Sequence, residues 1–498
     1  VTEVGVTSPG GIREVLLTGA DYYPFGPAAG WTYGNGRRLD RVHDLDYRPA
    51  SISDPAAGGL DFGYSYDPVG NLTALHTADL AEPPRASFDY DPLGRLTAFR
   101  DGAAGAAIES YGYDATGNRT SFTNAGGSQA YSYPADSHRL AAVAGVARNY
   151  DNAGNTLAIG TAREFVYNAA NRMSQAKQGG ALAMHYVYNG RGEQVRRHLG
   201  ASDTTTVFDE AGRWLGDYDA AGAPLQQAIW LDDFPVGLLV GSSGVNRLHY
   251  VQPDHLGTPR AVIDPVRNVA VWNWDLASEA FGNSPPNEDP DGDGIGFVFD
   301  MRFPGQRDDA ASGLSQNYFR DYEPEMGRYS QSDPVGFQGG IATYAYAYNN
   351  SLLWQDARGL SPITCSNIGA RVGVGSTGTI QCNGRGGYEI VNCASQCMRG
   401  CTQAHEQQHI SDYVARYGSR SCANRPRGSL PDDETAAPRD MAHYDQFRNM
   451  SECRAYGRSI ECAKNILESG CDCNQEAEQV ISAAEAQRRR FSCSTYGL

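Results

Sequence analysis

His405-Glu406-Gln407-Gln408-His409 sets two imidazoles four residues apart with a carboxylate between them. On a helix, positions i and i+4 share one face, so both rings can reach a single Zn²⁺. Glu406 then stands where it can accept the proton of a water activated at the metal, the chemistry of zinc-dependent amide hydrolysis. Cys401 is unsuited as a further ligand. Positions 401 and 409 lie about 12 Å apart along a straight helix, too far for bonds near 2 Å to one ion. A second grouping, Asp289-Pro-Asp291-Gly-Asp293-Gly294, fits the opening of a Ca²⁺ loop, with Asp300 at the twelfth position. The bidentate Glu of such a loop is missing there, and an acidic surface loop is the simpler reading.

Two helices must present the zinc chemistry. Residues 397–417 read as the helix around the histidines, and residues 449–468 as a second. All 11 cysteines lie between Cys365 and Cys493, a density suited to disulfides in an oxidising compartment. Cys393, Cys397 and Cys401 recur at i, i+4 and are expected to pair with Cys453, Cys462, Cys471 or Cys473, stapling the helices. A structural zinc or a reduced domain are the alternatives. Residues 373–387, rich in Gly, Ser and Thr, read as a hairpin or edge strand and lack a phosphate-loop Lys. Residues 361–498 carry 15 basic and 15 acidic side chains, so the net charge of −17 resides in residues 1–360. Such an acidic body disfavours nucleic acid as a partner. The sequence has no apolar run of about 18 residues, so no helix is expected to span a membrane. The opening Val-Thr-Glu-Val reads as a fragment or a processed end.

Upstream, one phrase returns. Tyr66-Asp67-Pro68-Val69-Gly70-Asn71-Leu72 is followed by Tyr90-Asp91-Pro92-Leu93-Gly94-Arg95-Leu96, Tyr113-Asp114-Ala115-Thr116-Gly117-Asn118-Arg119 and Tyr150-Asp151-Asn152-Ala153-Gly154-Asn155. Weaker copies begin at Tyr167, Tyr188 and Phe208. The spacing is roughly 20 residues, the mark of a repeat architecture. In each copy a strand ends at Tyr, Asp or Asn opens a turn through its own backbone, and Gly supplies the positive φ. One β-hairpin per repeat follows, and stacked hairpins bury the face that one hairpin cannot.

These phrases resemble the YD repeats of the RHS family, which implies a spiral of hairpins forming a hollow β-shell, of which this chain supplies the closing portion. Tyr250-Val-Gln-Pro-Asp-His-Leu-Gly-Thr-Pro-Arg260, Phe303-Pro-Gly-Gln-Arg-Asp-Asp309, Gly327-Arg-Tyr-Ser-Gln-Ser-Asp-Pro-Val-Gly336, Tyr344-Ala-Tyr-Ala-Tyr-Asn-Asn350 and Asp356-Ala-Arg-Gly-Leu360 resemble, in order, the RHS-associated core. Ala357 stands where the family has Pro. The resemblance implies that the chain cuts itself at Leu360–Ser361. It makes Asp333 and Asp356 the cutting pair and Arg328 the arginine that orients them. Two close carboxylates share a proton, so one can activate water while the other polarises the carbonyl.

The region around Glu452 resembles gluzincins, in which a Glu on a later helix completes the zinc site. That implies Glu452 as third ligand, with Glu461 in reserve and His443 behind it. Tyr456 replaces the acid usual four positions on, and Ala415 departs from the pattern with a third His, arguing against metzincins. The fold expected is therefore an all-β YD-repeat shell over residues 1–247, an RHS-associated core with the cleavage segment over 248–360, and a mainly α, cysteine-rich, zincin-like domain over 361–498. The function expected is a secreted effector, delivered into a target cell, whose shell encloses and releases a zinc peptidase acting on protein or peptide. Its partners would be its own cleaved shell, an immunity protein and a secretion machine or chaperone. A zinc-dependent peptidoglycan amidase and a non-enzymatic wall-associated adhesion protein are the alternatives.

Overall fold

The Tyr-Asp-x-x-Gly phrase folds as a tight Asx-type hairpin. In the computed structural model, Asp67 Oδ1 accepts the amides of Val69 (3.0 Å) and Asn71 (2.8 Å), and its Oδ2 accepts Asn71 Nδ2 (2.9 Å). Asp91 repeats the pattern with Leu93 and Arg95, and Asp114 with Thr116 and Asn118. The aspartates are consumed as turn acceptors, as their recurrence predicts. Gly70 takes φ +93, open to glycine. In the copy beginning at Tyr167 the same position is Asn171 at φ +56, a conformation Asn tolerates. The strands flanking each turn pair with a bulge beside the Tyr: Tyr66 faces Leu72, Tyr90 faces Leu96 and Tyr113 faces Arg119. The tyrosines do more than stack. Tyr66, Tyr90 and Tyr113 each donate a hydroxyl to a carbonyl of the preceding hairpin, at Pro49 (2.7 Å), Leu72 (2.7 Å) and Leu96 (2.8 Å).

The structure describes residues 1–7, 13–23, 27–45, 47–242, 245–277, 280–336 and 340–360, then 378–382, 388–392, 405, 407–412, 414, 450–451, 453–464, 481, 484–485, 488–489 and 493–496. Contacts divide the chain into two units, Val1–Tyr22 with Ala28–Pro362, and Tyr23–Pro27 with Ile363–Leu498.

The first unit is antiparallel β: a 26-stranded sheet and a smaller four-stranded one. The large sheet returns on itself. Tyr33 donates to the carbonyl of Val251 at 2.6 Å and stacks on Tyr250, 4.7 Å between centroids. Its apolar face buries Leu16, Trp31, Leu39, Leu72, Leu96 and Phe99. The four-stranded sheet, Arg307–Asp309, Leu314–Asn317, Arg320–Glu323 and Arg328–Tyr329, comes from the core segment. Nearly every residue in it is buried, polar ones included. Its segment runs along the row of repeat turns and bonds them in succession. Asn350 donates to Asn71 Oδ1 and the carbonyl of Gly94, Asn349 to Gly117, Tyr344 to Gly154, Tyr318 to Arg191, and Arg358 to Ala211. The buried bidentate pair of Arg148 with Glu323 (2.6 and 2.8 Å) joins the same two layers.

In the second unit, Gly378–Cys382 pairs with Tyr388–Asn392 as a hairpin. Helical residues fall at 405, 407–412 and 414, and at 450–451 and 453–464. Cys453 bonds to Cys493, which removes it from the candidate partners of the Cys393–Cys397–Cys401 series. The reason is local: Cys493 opens a short 3-10 turn, Cys493–Tyr496, whose Cα lies 5.4 Å from that of Cys453. Cys393, Cys397, Cys401, Cys471 and Cys473 lie outside the described residues.

Candidate functional site

Two motifs of the core segment, Gly327–Gly336 and Asp356–Leu360, meet at the four-stranded sheet. Arg320, on the strand Arg320–Glu323, sends Nη2 to Asp333 Oδ2 and to Asp356 Oδ2, each at 2.9 Å. Its Nε donates to the carbonyl of Gly359 at 2.6 Å, and its guanidinium lies 3.6 Å from the ring centre of Tyr329. Tyr329 donates to Asp356 Oδ2 at 2.9 Å, and Asn317 donates to the Asp356 carbonyl at 2.8 Å. Asp356 Oδ1 accepts the amide of Leu360 at 3.0 Å, while Asp333 Oδ1 accepts the amide of Val335 at 2.9 Å. All these residues are buried. One guanidinium balances one carboxylate, and the second must keep a proton or bear an unpaired buried charge. Burial pushes the Asp333 carboxyl up to about 7, against the pull of Arg320 and helped by Asp356.

Two glycines make the close approach possible. A side chain at Gly305 would meet the Ala357 carbonyl at 2.0 Å. Gly359 (φ +64) lies against the Asn317 carbonyl, at 2.6 Å from a built Cβ. The loop at Ala357 is thus seated by backbone packing without the family's Pro.

The structure brings Asp333, Asp356 and Leu360 together, and Ser361 lies outside the described residues. It does not bring Arg328 to them. Arg328 donates to Tyr133 Oη and to the His138 carbonyl, 2.9 Å each, and stacks on Tyr344. It clamps the core segment to the repeats, and Arg320 holds the position expected of it. The physical reason is register: Arg320 and Arg328 lie on adjacent strands paired as Tyr322 with Tyr329 and Glu323 with Arg328, and only the first faces the aspartates.

In the second unit, His405 and His409 point their Nε2 atoms at each other, 3.3 Å apart. Two nitrogens bound to one tetrahedral zinc at ~2.0–2.1 Å stand roughly that far apart. From behind, His405 Nδ1 meets Ser459 Oγ at 3.0 Å and His409 Nδ1 meets Ser451 Oγ at 2.8 Å. Burial, then the neighbouring His409, pulls the His405 ring down to about 3, so it is neutral and able to ligate. Glu406, Glu452 and His443 lie outside the described residues. Glu461, the reserve ligand, is exposed and pairs with Arg458 at 3.0 Å.

At the candidate Ca²⁺ loop the oxygens of Asp289, Asp291 and Asp293 gather within 4.8 Å. Arg267 Nη1 already sits on two of them, 2.7 Å from Asp291 and 2.6 Å from Asp293. Asp289 is spent on the amides of Asp293 and Gly294. Asp300 turns instead toward Arg197 and Arg307, 3.8 Å from each. The acidic-loop reading fits this arrangement better.

Residues 37–350 match the Teneurin YD-shell family model. The chain belongs to that family. Among relatives of this YD-shell chain, Toxin protein Tse5 of Pseudomonas aeruginosa is 29% identical over 373 residues, covering 61% of this chain and 27% of that protein. Double-stranded DNA deaminase toxin A of Burkholderia cenocepacia is 24% identical over 374 residues, 69% of this chain and 21% of that one. The chain thus spans a small part, 27% or less, of the length of these two relatives. Among solved structures, the Photorhabdus luminescens Tc holotoxin pore superposes with TM-score 0.59 at 17% identity, over 73% of this chain and 20% of that one. TcdB2-TccC3 without its hypervariable C-terminal region gives 0.58 at 17%, over 72% and 20%. These two show the fold.

Sequence reading missed Arg320, Tyr329, Asn317, Ser451 and Ser459. The first three carry no spacing signal, since strand pairing alone gathers them. The serines did carry one: Ser451, Ala455 and Ser459 recur every four residues on the second helix, a face of small residues with two hydroxyls.

Proposed function

We propose that this YD-shell chain is the closing part of a secreted bacterial toxin that cuts itself after Leu360 and frees a zinc peptidase. The observation that carries the self-cleavage is Asp356 Oδ1 on the Leu360 amide, with both aspartates on Arg320. Asp356 thereby fixes the residue whose carbonyl is to be cut. A water attacks that carbonyl as Asp356 takes its proton, and protonated Asp333 polarises the oxygen. The Leu360–Ser361 bond breaks, the new amine of Ser361 takes up the proton, and Leu360 keeps the carboxylate. Arg320 and Tyr329 hold the pair in place.

For the released segment the support is the converging histidine pair. His405, His409 and Glu452 would hold the metal. Glu452 stands four residues before Tyr456 and seven before Ser459, the spacing of one helix face. Zinc would supply the Lewis acidity that makes water a nucleophile near neutral pH. Glu406 would take the proton of the attacking water and return it to the leaving amine. Two of the relatives are toxins, which favours delivery to another cell over wall adhesion. An immunity protein, a secretion machine or chaperone, and the cleaved shell itself are the partners proposed, in an oxidising compartment. Intact-mass measurement of the purified chain tests the first claim. Two fragments meeting at Leu360–Ser361 are expected, and a single chain that stays uncut removes the self-cleavage.

A further inference from the structure

The two histidines are bonded from behind by one helix. Ser451 and Ser459 are eight residues apart in the helical stretch, with Ala455 midway; all three are buried. Each hydroxyl reaches the Nδ1 of one histidine, and the Nε2 atoms are left facing each other. A neutral imidazole carries one proton, and only its bare nitrogen can bind a cation. Which nitrogen is bare is decided by what lies against the other.

We propose that Ser459 and Ser451 are positioning residues that select the metal-facing nitrogen of His405 and His409. This rests on the zinc reading above. The two serines are not equivalent. The Ser459 hydroxyl has an acceptor in its own helix, the carbonyl of Ala455 at 3.5 Å, the back-bond a helical serine makes. Its oxygen lone pairs therefore face His405, whose Nδ1 donates the proton and whose Nε2 is bare. Ser451, among the described residues, has His409 as its hydroxyl partner. It can donate or accept, so it orients the His409 ring while allowing either tautomer. His409 can then donate from Nε2 to the bare Nε2 of His405, which fits their 3.3 Å separation without repulsion between lone pairs. Ser459 thus fixes one ligand in advance, and Ser451 lets the other follow.

The test is Zn²⁺ affinity, measured by competition with a chromophoric chelator on the purified full chain. The proteins are wild type, Ser459→Ala, Ser451→Ala and Ser459→Thr. Ala is the better helix former and removes one oxygen only, so these variants keep the helix. Ser459→Ala should weaken Zn²⁺ binding about 10- to 100-fold, the range for losing the partner behind a ligating histidine. Ser451→Ala should weaken it less, and Ser459→Thr, which keeps the hydroxyl, should restore most of the loss. If wild type binds Zn²⁺ and both Ala variants match it, the serines do not position the ligands. If Ser459→Thr binds as poorly as Ser459→Ala, the hydroxyl is not the cause and the proposal fails. If wild type binds no Zn²⁺, the zinc reading itself falls, and this inference with it.

Discussion

At the residue scale, the carboxylate pair divides labour through its surroundings. Asp356 accepts three donors, from Arg320, Tyr329 and the Leu360 amide, while Asp333 has Arg320 and one amide. Asp333→Asn and Asp356→Asn should each leave one uncut chain by mass. Arg320→Ala should do the same, since two buried carboxylates without a cation cannot keep their places. Arg328→Ala should weaken the shell by about 1–3 kcal/mol, from buried donors lost to Tyr133 and His138, yet still cut. A variant pair behaving the other way would return the orienting role to Arg328. The pH dependence follows from Asp333. Its carboxyl is raised to about 7, so the protonated form persists up to neutrality. As the acid, it should make the self-cleavage rate fall as pH rises through about 7, read as single-turnover cutting after refolding at set pH. In the second unit, Glu406→Gln should keep bound zinc and lose turnover, because an amide cannot take a proton at neutral pH. His405→Ala and His409→Ala should lose both.

At the scale of the element, the repeat hairpin is closed by one side chain used three times. Asp91 satisfies two amides and the Arg95 guanidinium together. Asp91→Ala should cost about 1–3 kcal/mol of local stability. Hydrogen exchange should show faster loss at the amides of Leu93 and Arg95 than in hairpins further along. A uniform change across the sheet would mean the hairpins do not open singly. The core motifs also act as elements. Asn349 and Asn350 lie away from the aspartate pair and bond the turns at Gly117, Asn71 and Gly94. Tyr344 does the same at Gly154. Asp254, in the motif Tyr250–Arg260, turns out to close an Asx turn of the repeat type, through the amides of Leu256 and Thr258.

For the whole molecule, the first unit holds the Asp333–Asp356 pair inside a layer bonded to the repeats along its length. If the shell encloses the released segment as proposed, the two products of cutting should leave the column together, as non-covalent partners. Limited proteolysis of the complete protein should spare residues 361–498 while the shell is closed. Rapid trimming of that stretch, in a chain whose shell stays intact, would argue against enclosure. No helix of the described residues is long and apolar enough to cross a membrane, which leaves strands outside that statement.

Local chemistry was legible in the sequence by itself. An Asp two residues before an amide and a Gly at positive φ make a turn wherever they stand, so the hairpins of Tyr66, Tyr90 and Tyr113 could be read from spacing. The i, i+4 histidines could be read the same way, because helix periodicity alone puts them on one face. The aspartates of the cutting pair came through resemblance, as spacing says nothing of residues 23 apart in different loops. What only the tertiary structure decided is which cation joins them. Arg320 and Arg328 are equally plausible by type and lie on adjacent paired strands. Pairing register sends one toward Asp333 and the other toward Tyr133. The same holds for Cys453, whose partner Cys493 is 40 residues away in sequence, and for Ser451 and Ser459, which matter only because another helix lies against them. Turns and helix faces are made by neighbours in sequence; ion pairs and ligand orientation are made by neighbours in space.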